Sequence, residues 1–185
     1  GHVVALSSSR SAGTTIDVPG RFGAVSLEDS SDFVFHRGDL VFFCAGSAVS
    51  QMHVPRALDV GATVIDKSSF FRLDPHVPLI IPEVNGDLIG HHKPGLIATP
   101  NCIAVPLAMS LKPLRDLGPI DRVVVSTYQS VSGAGNGGMA ELEHQTRAVL
   151  DGGDSPPHHF QQPIAFNVIP QIDAVCKTGY TGEEE

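Results

Sequence analysis

Over its first 101 residues the chain alternates short apolar, β-like runs with turn residues and helical stretches, and this alternation most narrows its fold. Strands joined through helices make βαβ units and a parallel sheet, because parallel neighbours need a long crossover between them. The strand candidates are Val3–Leu6, Leu40–Cys44, Thr63–Ile65, Leu79–Ile81 and Leu96–Ala98. Between the second and third, Val49, Met52, Val54, Ala57 and Leu58 fall at near-helical spacing, and Gly61 stands where a helix stop belongs. The pattern predicts an α/β protein with a Rossmann-type nucleotide-binding domain over residues 1–101 and a second domain beginning at residue 102.

A chain of 185 residues can bury one good core or two small ones. No apolar run approaches the roughly 18 residues of a membrane span. The net charge of −8 argues against a nucleic-acid partner or an anionic membrane surface. Cys44, Cys102 and Cys176 are odd in number and widely spaced, which fits a reducing, cytoplasmic setting. His91-His92 and His158-His159 are neighbours in loops with no third ligand nearby in sequence, so no metal site is expected. Both ends look cut: the chain opens inside an apparent strand, and Thr181 with Glu184 makes a capping box that announces a helix. The expectation is a partial sequence.

The chemistry concentrates at Thr99-Pro100-Asn101-Cys102, between the apolar run Leu96–Ala98 and an apolar stretch from Ile103 to Leu114. This spacing predicts a helix from Cys102 to about Asp116, with Pro106 tolerated near its start. A cysteine between a strand and a helix meets unpaired N–H groups and the positive end of the helix dipole, which favour the nucleophilic thiolate. Without context, a lone cysteine is more often a packed, inert residue, and Cys44 is read that way.

Five segments in order carry a family resemblance. They are Val64–Arg72, Pro82-Glu83-Val84-Asn85, Thr99–Cys102, Val124–Gly135 with the Met-x-Glu-Leu helix start after it, and Ile164–Pro170. Together the chain resembles the aspartate-semialdehyde dehydrogenases. The resemblance implies that Cys102 attacks the acyl phosphate of aspartyl phosphate and releases phosphate, and that a hydride from NADPH reduces the thioester to the semialdehyde. This chemistry belongs to lysine, threonine and methionine synthesis. By the same resemblance Arg72 binds phosphate, Gln129 positions substrate at the end of an apolar strand Val123–Tyr128, and Ser132 and Gly133 contact the cofactor. Asn101 orients substrate, polarises the acyl oxygen, or only braces the turn. Residues 102–185 then begin an α+β catalytic and dimerisation domain of a homodimer.

The glycine-rich turn of a Rossmann domain is not in this sequence. Where an acidic residue would hold the ribose of NAD, the run after Val3–Leu6 reads Ser7-Ser8-Ser9-Arg10-Ser11. On its residues alone this is equally an ordinary loop or a site for the 2′-phosphate of NADP. The resemblance matches Arg10 and Ser11 to that phosphate and makes NADP the expected cofactor. Phe43-Cys44-Ala45-Gly46-Ser47 sits at a strand's carboxyl end, and small residues such as Gly46 let a nucleotide approach the backbone.

The resemblance places the glycine-rich turn upstream and the acid/base histidine, with further substrate-binding residues, downstream. The 185 residues alone are therefore expected to be weakly stable and inactive. Ile103-Ala104 and Lys67 depart from the family pattern. The related N-acetyl-glutamyl-phosphate reductases typically carry Pro-Gly-Cys-Tyr, which Pro100-Asn101-Cys102-Ile103 does not match. A non-catalytic paralogue that keeps the fold is the reading from another class.

Overall fold

The structure, a computed structural model, describes residues 2–20, 22–89 and 95–183. Contacts divide the chain into two compact units, residues 1–121 and 122–185.

In the first unit, strands β4 (Leu40–Phe43), β5 (Thr63–Asp66) and β6 (Leu96–Ala98) form a parallel sheet in the order β4-β5-β6. Helix α1 (Ser47–Asp59) crosses from β4 to β5 and packs against both. The alternation in the sequence predicts this crossover, and β4, β5, β6 and α1 lie within a few residues of the expected positions. The core is Phe35, Phe43, Val54, Ala57, Ala62 and Val64, with Leu6, Val41, Leu58 and Leu96 packed around it.

The buried stripe of α1 is Ser50, His53, Val54 and Ala57, an i, i+3, i+4, i+7 face. The apolar spacing places Met52 on that face, but Met52 is 66% exposed. Two polar residues occupy the face instead, and each finds a partner: Ser50 donates to Asp66 and His53 meets Arg56. Their hydrogen bonds offset the cost of burial.

Leu79–Ile81, expected as a strand, is a single parallel bridge from Leu79 to Ala98. The run lies between Pro78, which has no N–H to give, and Pro82, which opens the short helix α2 (Pro82–Asn85). Ile80 and Ile81 are nonetheless buried. The expected strand Val3–Leu6 is met by β1 (Ala5–Ser7), which lies in a second small sheet, parallel to β3 (Gly23–Asp29); β3 and its antiparallel partner β2 (Thr15–Val18) are not anticipated from the sequence. Helix α3 (Ala104–Leu117) starts two residues later than expected, so Cys102 stands in the turn before it. Pro106 falls in its first turn, where its missing N–H costs no intrahelical bond.

In the second unit a 3₁₀ turn, Val131–Ala134, leads into helix α4 (Gly135–Leu150). Residues 123–128 are not a strand: they pair with no strand among the described residues, and Tyr128 is 89% exposed. Apolar, β-branched composition suits a pleated surface, but a ladder needs a partner. The segment 158–165 is held on α4 by polar side chains. Glu141 accepts the backbone N–H groups of His158, His159 and Phe160, and Gln145 accepts those of Ile164 and Ala165. Burial pushes the Glu141 carboxyl up, but those N–H groups and the His158 charge outweigh it and hold it below the usual glutamate range. Thr181 closes an antiparallel bridge with Val175 rather than capping a helix, and Glu184, the other half of the expected capping box, lies outside the described residues. His91-His92 also lies outside them.

Candidate active site

Because β4, β5 and β6 are parallel, all three end at the same edge of their sheet. Three loops leave that edge: Cys44-Ala45-Gly46 into α1, Lys67 to Arg72, and Thr99 to Cys102. Ligands of open α/β sheets bind at such carboxyl ends.

Hydrogen bonds tie the loops together. Thr99 N–H donates to the Asp66 carbonyl at 2.9 Å, and Lys67 N–H donates to the Phe43 carbonyl at 2.9 Å. The guanidinium of Arg72 donates from Nε to the Thr99 carbonyl at 2.9 Å and from Nη2 to the Lys67 carbonyl at 3.1 Å. Of the five N–H donors of an arginine, three remain, two of them on Nη1. Arg72 thus lies against the segment that leads to Cys102, with its Nη1 end uncommitted among the described residues.

The fully buried Asp66 ends β5. Its carboxyl oxygens accept from Ser50 Oγ at 2.7 Å, Ser68 Oγ at 2.7 Å and Ser68 N–H at 3.1 Å. Ser47 Oγ at the start of α1 and Ser69 Oγ lie 3.0 Å apart. These serines join the α1 loop to the Arg72 loop. Sequence reasoning quotes Asp66 and Thr99 within motifs but gives them no role of their own, and it misses Ser50. The available signal was an acidic residue ending an apolar run that is otherwise core.

Cys102 is exposed and its thiol is free. Asn101 Oδ1 accepts Ile103 N–H at 2.7 Å, and its carbonyl accepts Val105 N–H at 3.2 Å, so Asn101 braces the turn that leads into α3. Cys44 is also exposed, not the packed small residue its sequence context suggests, because it stands just past the end of β4.

Gly46 precedes α1 with φ 92° and ψ 170°, a region nearly closed to other residues. A Cβ built there would meet nothing within 4 Å, and no side chain caps the helix. Open space beside uncapped N–H groups fits a dinucleotide backbone or phosphate. Arg10 and Ser11 are exposed in the turn that follows β1, where Ser11 N–H and Ala12 N–H both bond the Ser8 carbonyl. A guanidinium and a hydroxyl presented there fit an added phosphate.

Gln129, Ser132 and Gly133 belong to the second unit. Gln129 Nε2 donates to Glu183 at 2.8 Å, and Thr127 Oγ1 donates to Gln129 Oε1 at 3.1 Å. Ser132 N–H and Oγ both bond Ser130 Oγ, and Gly133 N–H bonds the Ser130 carbonyl. The expected Gly-rich turn is therefore a wound 3₁₀ turn. An open hollow of about 370 Å³ in this unit is lined by Glu141, His144, His158 and His159, and none of the sequence-predicted residues reaches it. Among the described residues no group of three His, Cys, Asp or Glu side chains is placed to hold a metal ion.

Residues 1–92 match the family model for the semialdehyde dehydrogenase NAD binding domain, and residues 111–185 match that for the semialdehyde dehydrogenase dimerisation domain. The chain is 47% identical to the aspartate-semialdehyde dehydrogenase of Rickettsia conorii, over 98% of this chain and 54% of that protein. The chain belongs to the aspartate-semialdehyde dehydrogenase family. It spans about half the length of the curated relatives it matches. Among solved structures, that of the Vibrio cholerae aspartate semialdehyde dehydrogenase II complexed with ASA superposes with a TM-score of 0.91 at 40% identity, over 98% of this chain and 54% of that one. The Candida albicans aspartate semialdehyde dehydrogenase with NADP gives 0.59 at 26% identity, over 77% of this chain and 47% of that one. For this family member the α/β fold is thus a Rossmann-like dinucleotide-binding domain followed by the start of a dimerisation domain. No described helix is long and apolar enough to cross a membrane.

Proposed function

We propose that this chain supplies the nucleophile and phosphate-binding side of an enzyme that reduces aspartyl 4-phosphate to aspartate 4-semialdehyde. The observation that carries the reading is the 2.9 Å bond from Arg72 Nε to the Thr99 carbonyl. It sets a permanent cation beside the segment bearing an exposed thiol, as an acyl phosphate requires.

In this reading the Cys102 sulfur attacks the acyl carbon, a C–S bond forms, and the carbon–oxygen bond to phosphate breaks. Arg72 takes up charge on the departing phosphate through its Nη1 end. Cys102, exposed in the turn before α3, serves both as nucleophile and as the later leaving group. Asn101 braces this turn or orients the substrate, and Gln129 orients the substrate. A nicotinamide dinucleotide, when bound, supplies the hydride that turns the thioester into the aldehyde. Gly46 and the start of α1 would hold it, Arg10 and Ser11 would select NADP through the 2′-phosphate, and Ser132 and Gly133 would contact it. Residues 1–101 supply the nucleotide side of the function, and the catalytic side opens at residue 102.

The NAD-binding-domain match and the NADP-bound relative support a nicotinamide cofactor, and the dimerisation-domain match supports a homodimer. The reaction fits the synthesis of lysine, threonine and methionine, and three free cysteines fit the cytoplasm. The test is NADPH-dependent reduction of aspartyl phosphate by the full gene product beside its Cys102→Ala variant, with N-acetyl-glutamyl phosphate as the competing substrate. Activity with aspartyl phosphate that vanishes in the variant is the expected result. No activity with either substrate would leave the paralogue.

A further inference from the structure

Asp66 is unused by the chemistry above, yet it bonds helix α1 and two of the three loops at the sheet edge. Its carbonyl accepts from Thr99, three residues before the thiol. Its side chain accepts from Ser50 on α1 and from Ser68, four residues before Arg72. Ser68 Oγ in turn accepts Phe70 N–H at 3.2 Å, which shapes the turn leading to Arg72. Arg72 then closes the ring by donating to Thr99. The path Asp66–Ser68–Arg72–Thr99–Asp66 is thus a closed loop of hydrogen bonds and short chain segments, anchored to helix α1 through Ser50.

We propose that Asp66 is a positioning residue that, through Ser68 and Thr99, fixes the spacing between the Arg72 guanidinium and the Cys102 turn. The proposal rests on the reading of Arg72 as the phosphate-binding group. An interior carboxyl with three donors aimed at it, one from Ser50 on α1 and two from Ser68, has one preferred arrangement. With Nε and one Nη2 hydrogen spent on carbonyls, Arg72 meets phosphate only through its Nη1/Nη2 end. A displacement of the 66–72 turn therefore moves the anion site relative to the thiol. Such misplacement shows in the affinity for phosphate before it shows elsewhere.

The experiment runs the full gene product in the reverse direction, with semialdehyde, NADP and inorganic phosphate, and compares Ser68→Ala, Ser68→Thr, Ser50→Ala and Arg72→Lys. The expected result is a phosphate KM raised about five- to tenfold in Ser68→Ala, as one hydrogen bond of the ring is lost. Semialdehyde KM stays within about twofold, Ser68→Thr restores the phosphate KM, and Ser50→Ala gives a smaller rise in the same constant. KM reports on the molecules that fold, so a low yield of any variant does not blur the comparison.

If Arg72→Lys raises phosphate KM while Ser68→Ala and Ser50→Ala lower only kcat, the positioning role is overturned and the arginine reading stands. If Arg72→Lys leaves phosphate KM unchanged, the arginine reading fails and the proposal fails with it.

Discussion

Gln145, 1% exposed in the middle of α4, accepts the backbone N–H of Ile164 at 2.8 Å. The same oxygen accepts Ala165 N–H at 3.2 Å, and the amide nitrogen donates to Glu141 at 3.1 Å. One side chain thereby joins the helix to the segment 164–165.

Replacing Gln145 with Ala strands two backbone donors and opens a cavity. The second unit should lose about 2 kcal/mol of stability, the cost of leaving buried donors unpaired. Urea unfolding followed by circular dichroism measures this as a lower midpoint with an unchanged slope. A midpoint equal to that of the unsubstituted chain would refute the role of Gln145.

This clamp explains why the second unit was hardly legible in the sequence. Periodicity finds apolar faces, but here Glu141 and Gln145 do the joining, and each looks like an exposed helix residue until its backbone partners arrive from positions 158–165. The first unit was far easier to read. Phe43, Val64 and Ala98 end or lie within apolar runs whose spacing allows only parallel strands, and Cys102 follows directly from that order. The Thr15–Val18 and Gly23–Asp29 hairpin escaped because neither strand is continuously apolar: Ile16, Val18, Val25 and Leu27 alternate with polar or small residues on an exposed sheet. At the site, the loops were legible from their motifs. The ring through Asp66 was not, since it depends on which carbonyls the turns present.

His53 should make stability fall in mild acid. The ring is buried on α1, and Arg56 Nη1 lies 2.9 Å from its Nδ1, so Arg56 donates and the imidazole is neutral with its proton on Nε2. Burial first and the Arg56 charge second lower its pKa, against a smaller opposing pull from Asp29. Its folded value therefore lies below the unfolded one of about 6.5. The contribution is complete above that pH and is lost as pH falls toward the folded value, because the unfolded chain binds the proton more readily. Urea midpoints between about pH 7.5 and 5 should decline, and His53→Gln should flatten that part of the curve. A decline of equal slope in the variant would assign it to other groups.

Gly46→Ala should separate cofactor binding from folding. The new Cβ meets nothing within 4 Å, so its cost is confined to a backbone held at φ 92°, about 1–3 kcal/mol. The methyl group occupies the open space before α1 that a dinucleotide backbone or phosphate would need. NADPH affinity, followed by fluorescence titration of the full gene product, should fall at least about tenfold, since a lost close approach removes hydrogen bonds to the helix start. Unchanged affinity would move the cofactor away from this turn.

Arg10→Ala should change which dinucleotide is preferred more than how fast the enzyme runs. Arg10 is exposed in the turn after β1 and makes no side-chain bond to another described residue, so its removal leaves the local backbone bonds of Ser8, Ser11 and Ala12 in place. A guanidinium facing a 2′-phosphate gives a charge-assisted contact that NAD, with a plain ribose hydroxyl, does not engage. Solvent screening at an exposed site limits its value, so the ratio of kcat/KM for NADPH over NADH should fall about tenfold, with NADH turnover nearly unchanged. Ser11→Ala should move the ratio the same way by less, because a hydroxyl offers one neutral hydrogen bond where the guanidinium offers a charge. If both cofactors lose equally, Arg10 supports the loop without reading the phosphate. If neither changes, the selectivity is set elsewhere in the protein.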